Sequence, residues 1–212
     1  MPSLSESLKL ETRELHTQAE RSVFMRQLLR GEMERKPYCA MLRNLHAIYA
    51  AMEPALERHA CDPRLAPLHF RELMREPALR GDLDALHGEG WREHFALQPS
   101  ALRYVSRLRS IEDTHPELLA AHSYVRYLGD LSGGQILARI VRESMALPAG
   151  SGTAFYDFGG AKEALRLKKA YREGLDKLPG GEPAARAIVA EAALAFELHC
   201  HIFDELGRAE PG

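Results

Sequence analysis

Three glycines inside one long helical stretch constrain this chain more than any other feature. The stretch is Tyr127-Leu128-Gly129-Asp130-Leu131-Ser132-Gly133-Gly134-Gln135. Large or apolar residues run into it (Leu118, Leu119, Tyr124, Val125) and out of it (Ile136, Leu137, Ile140, Val141) at helical spacing. No proline interrupts Glu117 to Leu147, so a continuous helix of roughly 45 Å is predicted. Each interior glycine costs about 1 kcal/mol relative to alanine, and three together weaken the helix by about 3 kcal/mol. Gly129 and Gly133 are four apart and share a face. Two readings of that face stand side by side. A flat object lies directly against the backbone, or small residues allow close helix packing or a break between two helices.

The rest of the composition narrows the class. A chain of 212 residues with 45% hydrophobic residues builds one domain with a real core. Its 28 basic and 30 acidic residues nearly balance, which argues against a dedicated nucleic-acid binder. Three widely spaced cysteines (Cys39, Cys61, Cys200) suggest neither a disulfide framework nor a zinc finger, and fit a reducing, cytoplasmic setting. The N-terminus lacks a basic-then-apolar leader, and no apolar run is long enough for a membrane span.

The pattern is helical almost throughout. Ser3 or Ser5 is expected to cap a first helix running to about Leu29, with Leu4, Leu8, Thr12, Leu15, His16, Ala19, Phe24 and Leu28 inward. A second helix starts near Lys36-Pro37; Pro54 either kinks or ends it, or the helical pattern continues to His59. The segment from Cys61 to Gly90, broken by Pro63, Pro67, Pro77, Gly81 and Gly88, reads as short helices near Phe70–Arg75 and Leu79–His87. Pro99 opens another helix, and His115-Pro116 opens the one that carries the glycines. A flexible connector (Leu147 to Gly152) leads to an aromatic cluster of Phe155, Tyr156 and Phe158. A basic helix, Ala161 to Leu178, and a last helix, about Glu182 to Leu206, complete an all-α bundle of about eight helices. A single domain over residues 1–212, ordered from about 5 to 207, is expected.

Few side chains stand out for chemistry. His16 sits on the apolar side of the first helix. Glu20, one turn on, is placed to accept a hydrogen bond from the ring nitrogen that would not bind metal. A buried histidine satisfied by a neighbour is the competing reading. Lys162, Arg166, Lys168, Lys169 and Arg172 form a basic helix on which Lys168 and Arg172, four apart, share a face, either a carboxylate-binding patch or a solvated surface. Asp130 is an acid among glycines in mid-helix. No paired Glu-x-x-His array, P-loop, dinucleotide fingerprint or nucleophile triad is present.

Taken together, two segments are specific. Gly129-Asp-Leu-Ser-Gly-Gly-Gln135, preceded by Tyr124-Val-Arg-Tyr127, resembles the distal-helix signature of haem (heme) oxygenases. Leu15-His-Thr-Gln-Ala-Glu20 resembles the proximal-histidine segment of that family, and the similarity runs with gaps from about Leu8 to Leu206. The resemblance implies an all-α single-domain multi-helix bundle with haem between a proximal helix and a kinked, glycine-rich distal helix. His16 would be the proximal iron ligand, with Glu20 behind it. Gly129 and Gly133 would let backbone approach the porphyrin. Asp130, Arg126 and Tyr49 would organise distal water. Lys9, Tyr124, Lys168 and Arg172 would lie near the propionates, and Phe196 would wall the pocket. One departure is His199, where mammalian members carry asparagine. The membrane anchor of animal forms is not seen, which points to a soluble, bacterial-type protein. The implied reaction is cleavage of haem, with O2 and electrons from a reductase or ferredoxin, to biliverdin (α isomer), carbon monoxide and Fe2+. A bilin acceptor would be a downstream partner. A haem carrier or sensor and a di-iron helical oxygenase are the alternatives.

Overall fold

The structure, a computed structural model, describes residues 2–148 and 150–208. Ala149 of the expected connector and residues 209–212 of the polar tail lie outside the described residues. Among those described there are eleven α-helical segments and no strand. The expected count of about eight is exceeded because two long helices are subdivided.

The first is the N-terminal helix. It forms α1 (Leu4–Glu11), α2 (Arg13–Glu20) and α3 (Val23–Leu29) in place of one helix to Leu29. Ser3 is its cap, in a reciprocal capping box with Glu6. Ser5 instead bonds Asp176, with its backbone N–H donating at 2.8 Å. The first break falls at Thr12, whose hydroxyl donates to the Leu8 carbonyl at 2.7 Å and competes with regular helix geometry. The second falls at Ser22, whose Oγ accepts from the Met25 N–H and starts α3 afresh. These breaks turn α2 so that the face carrying His16 opens on a groove. His16 itself is exposed rather than buried in the core.

Helix α4 (Arg35–Arg58) continues through Pro54. Ala55 and Leu56 beyond the proline are buried, and that burial offsets the missing hydrogen bond. Gly81 likewise does not break α5 (Glu76–His87): Leu79, Leu83 and Leu86 bury one face on either side of it. Gly88, at φ 85°, ends that helix. Short α6 (Trp91–His94) seats Trp91 in the core, and α7 (Pro99–Thr114) follows.

The glycine-bearing helix is the second one subdivided. A 3-10 turn (Pro116–Leu118) leads to α8 (Leu119–Ser123), then one π-helical turn (Tyr124–Leu128), then α9 (Gly129–Ser144). The distortion therefore lies in the wide turn just before Gly129 and not at the glycines themselves. A 3-10 turn, Ala154–Tyr156, packs on α9 and α5. Helix α10 (Ala161–Leu175) stops short of the expected Leu178, and α11 (Gly181–Arg208) is the long spine against which α1, α2, α3, α7 and α8 pack.

Two buried carboxylates fasten this frame behind the groove. Glu191 of α11 accepts from Arg107 of α7 at 2.7 and 2.8 Å and from His122 of α8 at 2.9 Å. Burial opposes its charge, but these donors win and hold its pKa at about 2. Asp82 of α5 accepts from the backbone N–H groups of Ala154 and Phe155 at 2.9 and 2.7 Å. It thereby pins the 154–156 turn under the distal helix.

Candidate functional site

The three glycines do different jobs. A Cβ at Gly134 would sit 3.2 Å from the Tyr156 ring, so this glycine serves close packing of α9 on the 154–156 turn. A Cβ at Gly129 or Gly133 would meet nothing within 4 Å. No packing reason among the described residues accounts for these two. Both line a cavity of about 330 Å³ that also takes in His16, Asp130, Phe155 and His199. A second cavity of about 380 Å³, lined by Lys9, Arg13, Tyr124, Lys168 and Arg172, shares His16, Val125, Gly129, Ser132 and Phe196 with the first. The two are halves of one slot between α2 and α9, with bare backbone on one wall and an imidazole on the other.

His16 presents its ring edge-on to Phe196, with centroids 5.9 Å apart. Its Nδ1 points to Glu20, but at 3.7 Å the contact is an ion-pair distance and not the expected hydrogen bond. Both side chains are half solvated, which leaves them free to sit apart.

Beyond the glycine wall is a compact polar cluster. Arg126 is buried and spends its fork on three partners. Nη2 donates to Asp130 at 2.8 Å, Nε to the Tyr49 hydroxyl at 3.4 Å and Nη1 to His199 Nε2 at 3.0 Å. The Tyr49 hydroxyl donates to the other Asp130 oxygen in a very short hydrogen bond. Burial pushes the Asp130 carboxyl above its usual range, while the Arg126 charge and the Tyr49 hydrogen bond pull the other way. Burial and then the neighbouring Arg126 charge drive His199 well below the usual histidine range, so its ring is neutral. Tyr104 lies fully buried with a hydroxyl that has no hydrogen-bond partner among the described residues, an atom whose satisfaction calls for ordered water.

At the other end of the slot the electrostatics are those of an anion site. Burial and the adjacent Arg172 and Lys9 charges lower the Lys168 pKa. Tyr124 carries its hydroxyl 3.5 Å from Thr12 Oγ1. The twelve residues that the resemblance marks for the site thus fall in or directly behind one slot, whereas Arg166 pairs with Glu163 and Glu72 and Lys169 with Glu173. Tyr49 and Glu20 supply its backing and edge. The sequence reading missed Arg13, which adds a fourth cation, and assigned no site role to Phe155, which was visible only as part of an aromatic run. Among the described residues no group of three or more His, Cys, Asp or Glu side chains is arranged to hold a metal ion, and no helix is long and apolar enough to cross a membrane.

An all-α protein with an open slot between an imidazole and bare helix backbone, and with cations at one end of it, is the class this fold and slot define. Comparison with known proteins makes it specific. The sequence matches the protein family described as "Heme oxygenase" over residues 2–205. It is 41% identical over 204 residues to Heme oxygenase 1 of Nostoc sp., covering 96% of this chain and 86% of that protein. It is also 41% identical to human Heme oxygenase 1 over 205 residues, covering 96% of this chain and 71% of that one. The crystal structure of heme oxygenase-2 from Synechocystis sp. in complex with heme and NO superposes with a TM-score of 0.92 at 39% identity, covering 97% of this chain and 85% of that one. The heme oxygenase from Leptospira interrogans does so with a TM-score of 0.91 at 40% identity, covering 96% of this chain and all of that one. The chain belongs to the haem oxygenase family of enzymes.

Proposed function

We propose that this chain, acting as one domain, binds haem in the slot between α2 and α9. It would use haem as both cofactor and substrate, cleaving it with O2 to biliverdin (α isomer), carbon monoxide and Fe2+. The observation that carries the reading is the pairing of His16 with two glycines whose missing side chains leave open space in the same cavity. Bound haem would supply the iron that activates oxygen and the ring that is cut. The imidazole of His16 would hold that iron. Lys9, Arg13, Lys168 and Arg172, with Tyr124, would grip the propionates and set the in-plane rotation of the ring.

The distal residues then have one task, to deliver protons without touching the oxygen directly. Both Asp130 oxygens are already taken, by Tyr49 and Arg126. The carboxyl therefore acts on the ligand side through water, which the unpartnered Tyr104 hydroxyl would help to hold. Electrons would come from a reductase or ferredoxin. A cytoplasmic setting, with release of product to a bilin acceptor, fits the unpaired cysteines.

Extraction of the product after turnover and chromatography against the four biliverdin isomers tests the reaction and its regiochemistry. The α isomer with one equivalent of carbon monoxide is expected, and recovery of intact haem would refute catalysis. Gly133→Ala separates the slot from the fold. It is expected to raise the stability of the haem-free protein by about 1 kcal/mol through helix propensity. Its Cβ would stand in the slot, so haemin affinity should fall by at least about tenfold. A gain in thermal stability with unchanged affinity would show that haem does not lie on this face.

A further inference from the structure

We infer that His199 is a positioning residue of the distal cluster: a permanently neutral hydrogen-bond acceptor that holds the Arg126 fork on Asp130 and Tyr49, and not a second iron ligand. The inference rests on the proposed haem site for its consequence, but its core is a property of the protein alone.

The geometry is specific. His199 projects from α11 into the cavity wall and is buried. Its ring packs edge-on against Phe203, centroids 4.4 Å apart, which fixes its plane. Its Nε2 lies 3.0 Å from Arg126 Nη1. The same Nη1 lies 3.5 Å from Nδ1. A guanidinium nitrogen only donates, so the ring must offer it a lone pair and carry a single proton. A doubly protonated ring would place two cations against each other in a buried site, and that form is excluded on Coulomb grounds.

The consequence concerns Arg126. Its other two donor groups go to Tyr49 and Asp130. Without the third anchor, the Nη1 group would be a buried donor lacking an acceptor. The fork would then turn toward the nearest polar space, the slot itself, carrying its positive charge with it. His199 thus keeps that charge on Asp130 and out of the ligand space.

Two measurements test this. The first uses the haem-free protein, labelled with 15N, and long-range 1H–15N correlation of the His199 ring. One protonated and one bare nitrogen, unchanged from about pH 8 down to about pH 5, is expected. A ring that takes a second proton above about pH 6 would overturn the inference. The second uses the ferric haemin complexes of the wild type, His199→Leu and His199→Asn, and follows the pH midpoint of the visible-spectrum transition. Leucine offers no acceptor, so the midpoint should fall by about half a pH unit as positive charge enters the slot. The asparagine carbonyl can accept from Nη1, so His199→Asn should return most of that shift. An unchanged midpoint in His199→Leu, or equal shifts in both variants, would reduce His199 to a packing residue. A spectrum of two nitrogen ligands in the wild type, lost in His199→Leu, would make it an iron ligand instead. Failure to bind haemin at all would count against the proposed function and leave the ring measurement to decide the role of His199.

Discussion

Replacing His16 with alanine is expected to lower haem cleavage by at least about a hundredfold, a barrier increase of about 2.7 kcal/mol, while leaving the fold intact. The structural side of this expectation is unusual for a residue on a helix facing the protein. His16 is exposed, its contact with Glu20 is 3.7 Å long, and its one ring contact is the edge of Phe196. Nothing in the described core depends on it. Thermal unfolding of the haem-free variant should therefore match the wild type within about 0.5 kcal/mol, the range of ordinary surface substitutions. Haemin should still enter the slot, because Lys9, Lys168 and Arg172 remain, but with a Soret band altered by loss of the imidazole. Exogenous imidazole, filling the space left by the side chain, should restore part of the spectrum. Turnover equal to wild type would remove His16 from the site.

Asp130→Ala is expected to act in the opposite way, costing stability as well as product. Asp130 neutralises Arg126 in a buried pair and accepts from Tyr49. Removing one partner of such a pair leaves an uncompensated buried charge, at about 3–5 kcal/mol. Part of that cost is recovered if the guanidinium turns toward the slot and water. In the proposed reaction the protons reaching the ligand then lose their organising acid, so the fraction of haem converted to biliverdin should fall sharply even where haemin binds normally. Asp130→Asn separates the two effects. It keeps the shape and an acceptor for Arg126 but not the neutralising charge, so only part of the stability should return while the biliverdin yield stays low. A normal yield from Asp130→Asn would show that proton delivery does not depend on this carboxyl.

The glycine spacing made one face of the distal helix legible before any coordinates. What spacing alone left open was which glycine served what. Gly134 meets Tyr156, a residue 22 positions away in sequence, and no local pattern reports a contact that the fold creates. The same limit hid the Arg126–His199 hydrogen bond, which joins α11 to the π-helical turn across 73 positions. Periodicity merged α1, α2 and α3 because apolar residues continue in register through Thr12 and Ser22. The breaks come from side-chain hydroxyls bonding their own backbone. Pro54 reads locally as a helix breaker, yet the helical pattern beyond it holds because Ala55 and Leu56 are buried. His16 was ambiguous on spacing and became specific only through the resemblance of its segment to the family motif.

The most direct test of the account is a visible-spectrum titration of the purified protein with haemin, followed by reductant and air. A Soret band that grows to one equivalent, then bleaches as a bilin band rises toward the red, is the predicted result. A Soret band that persists under reductant and oxygen would contradict catalysis and leave a haem carrier. The absence of any Soret change would contradict the haem site itself.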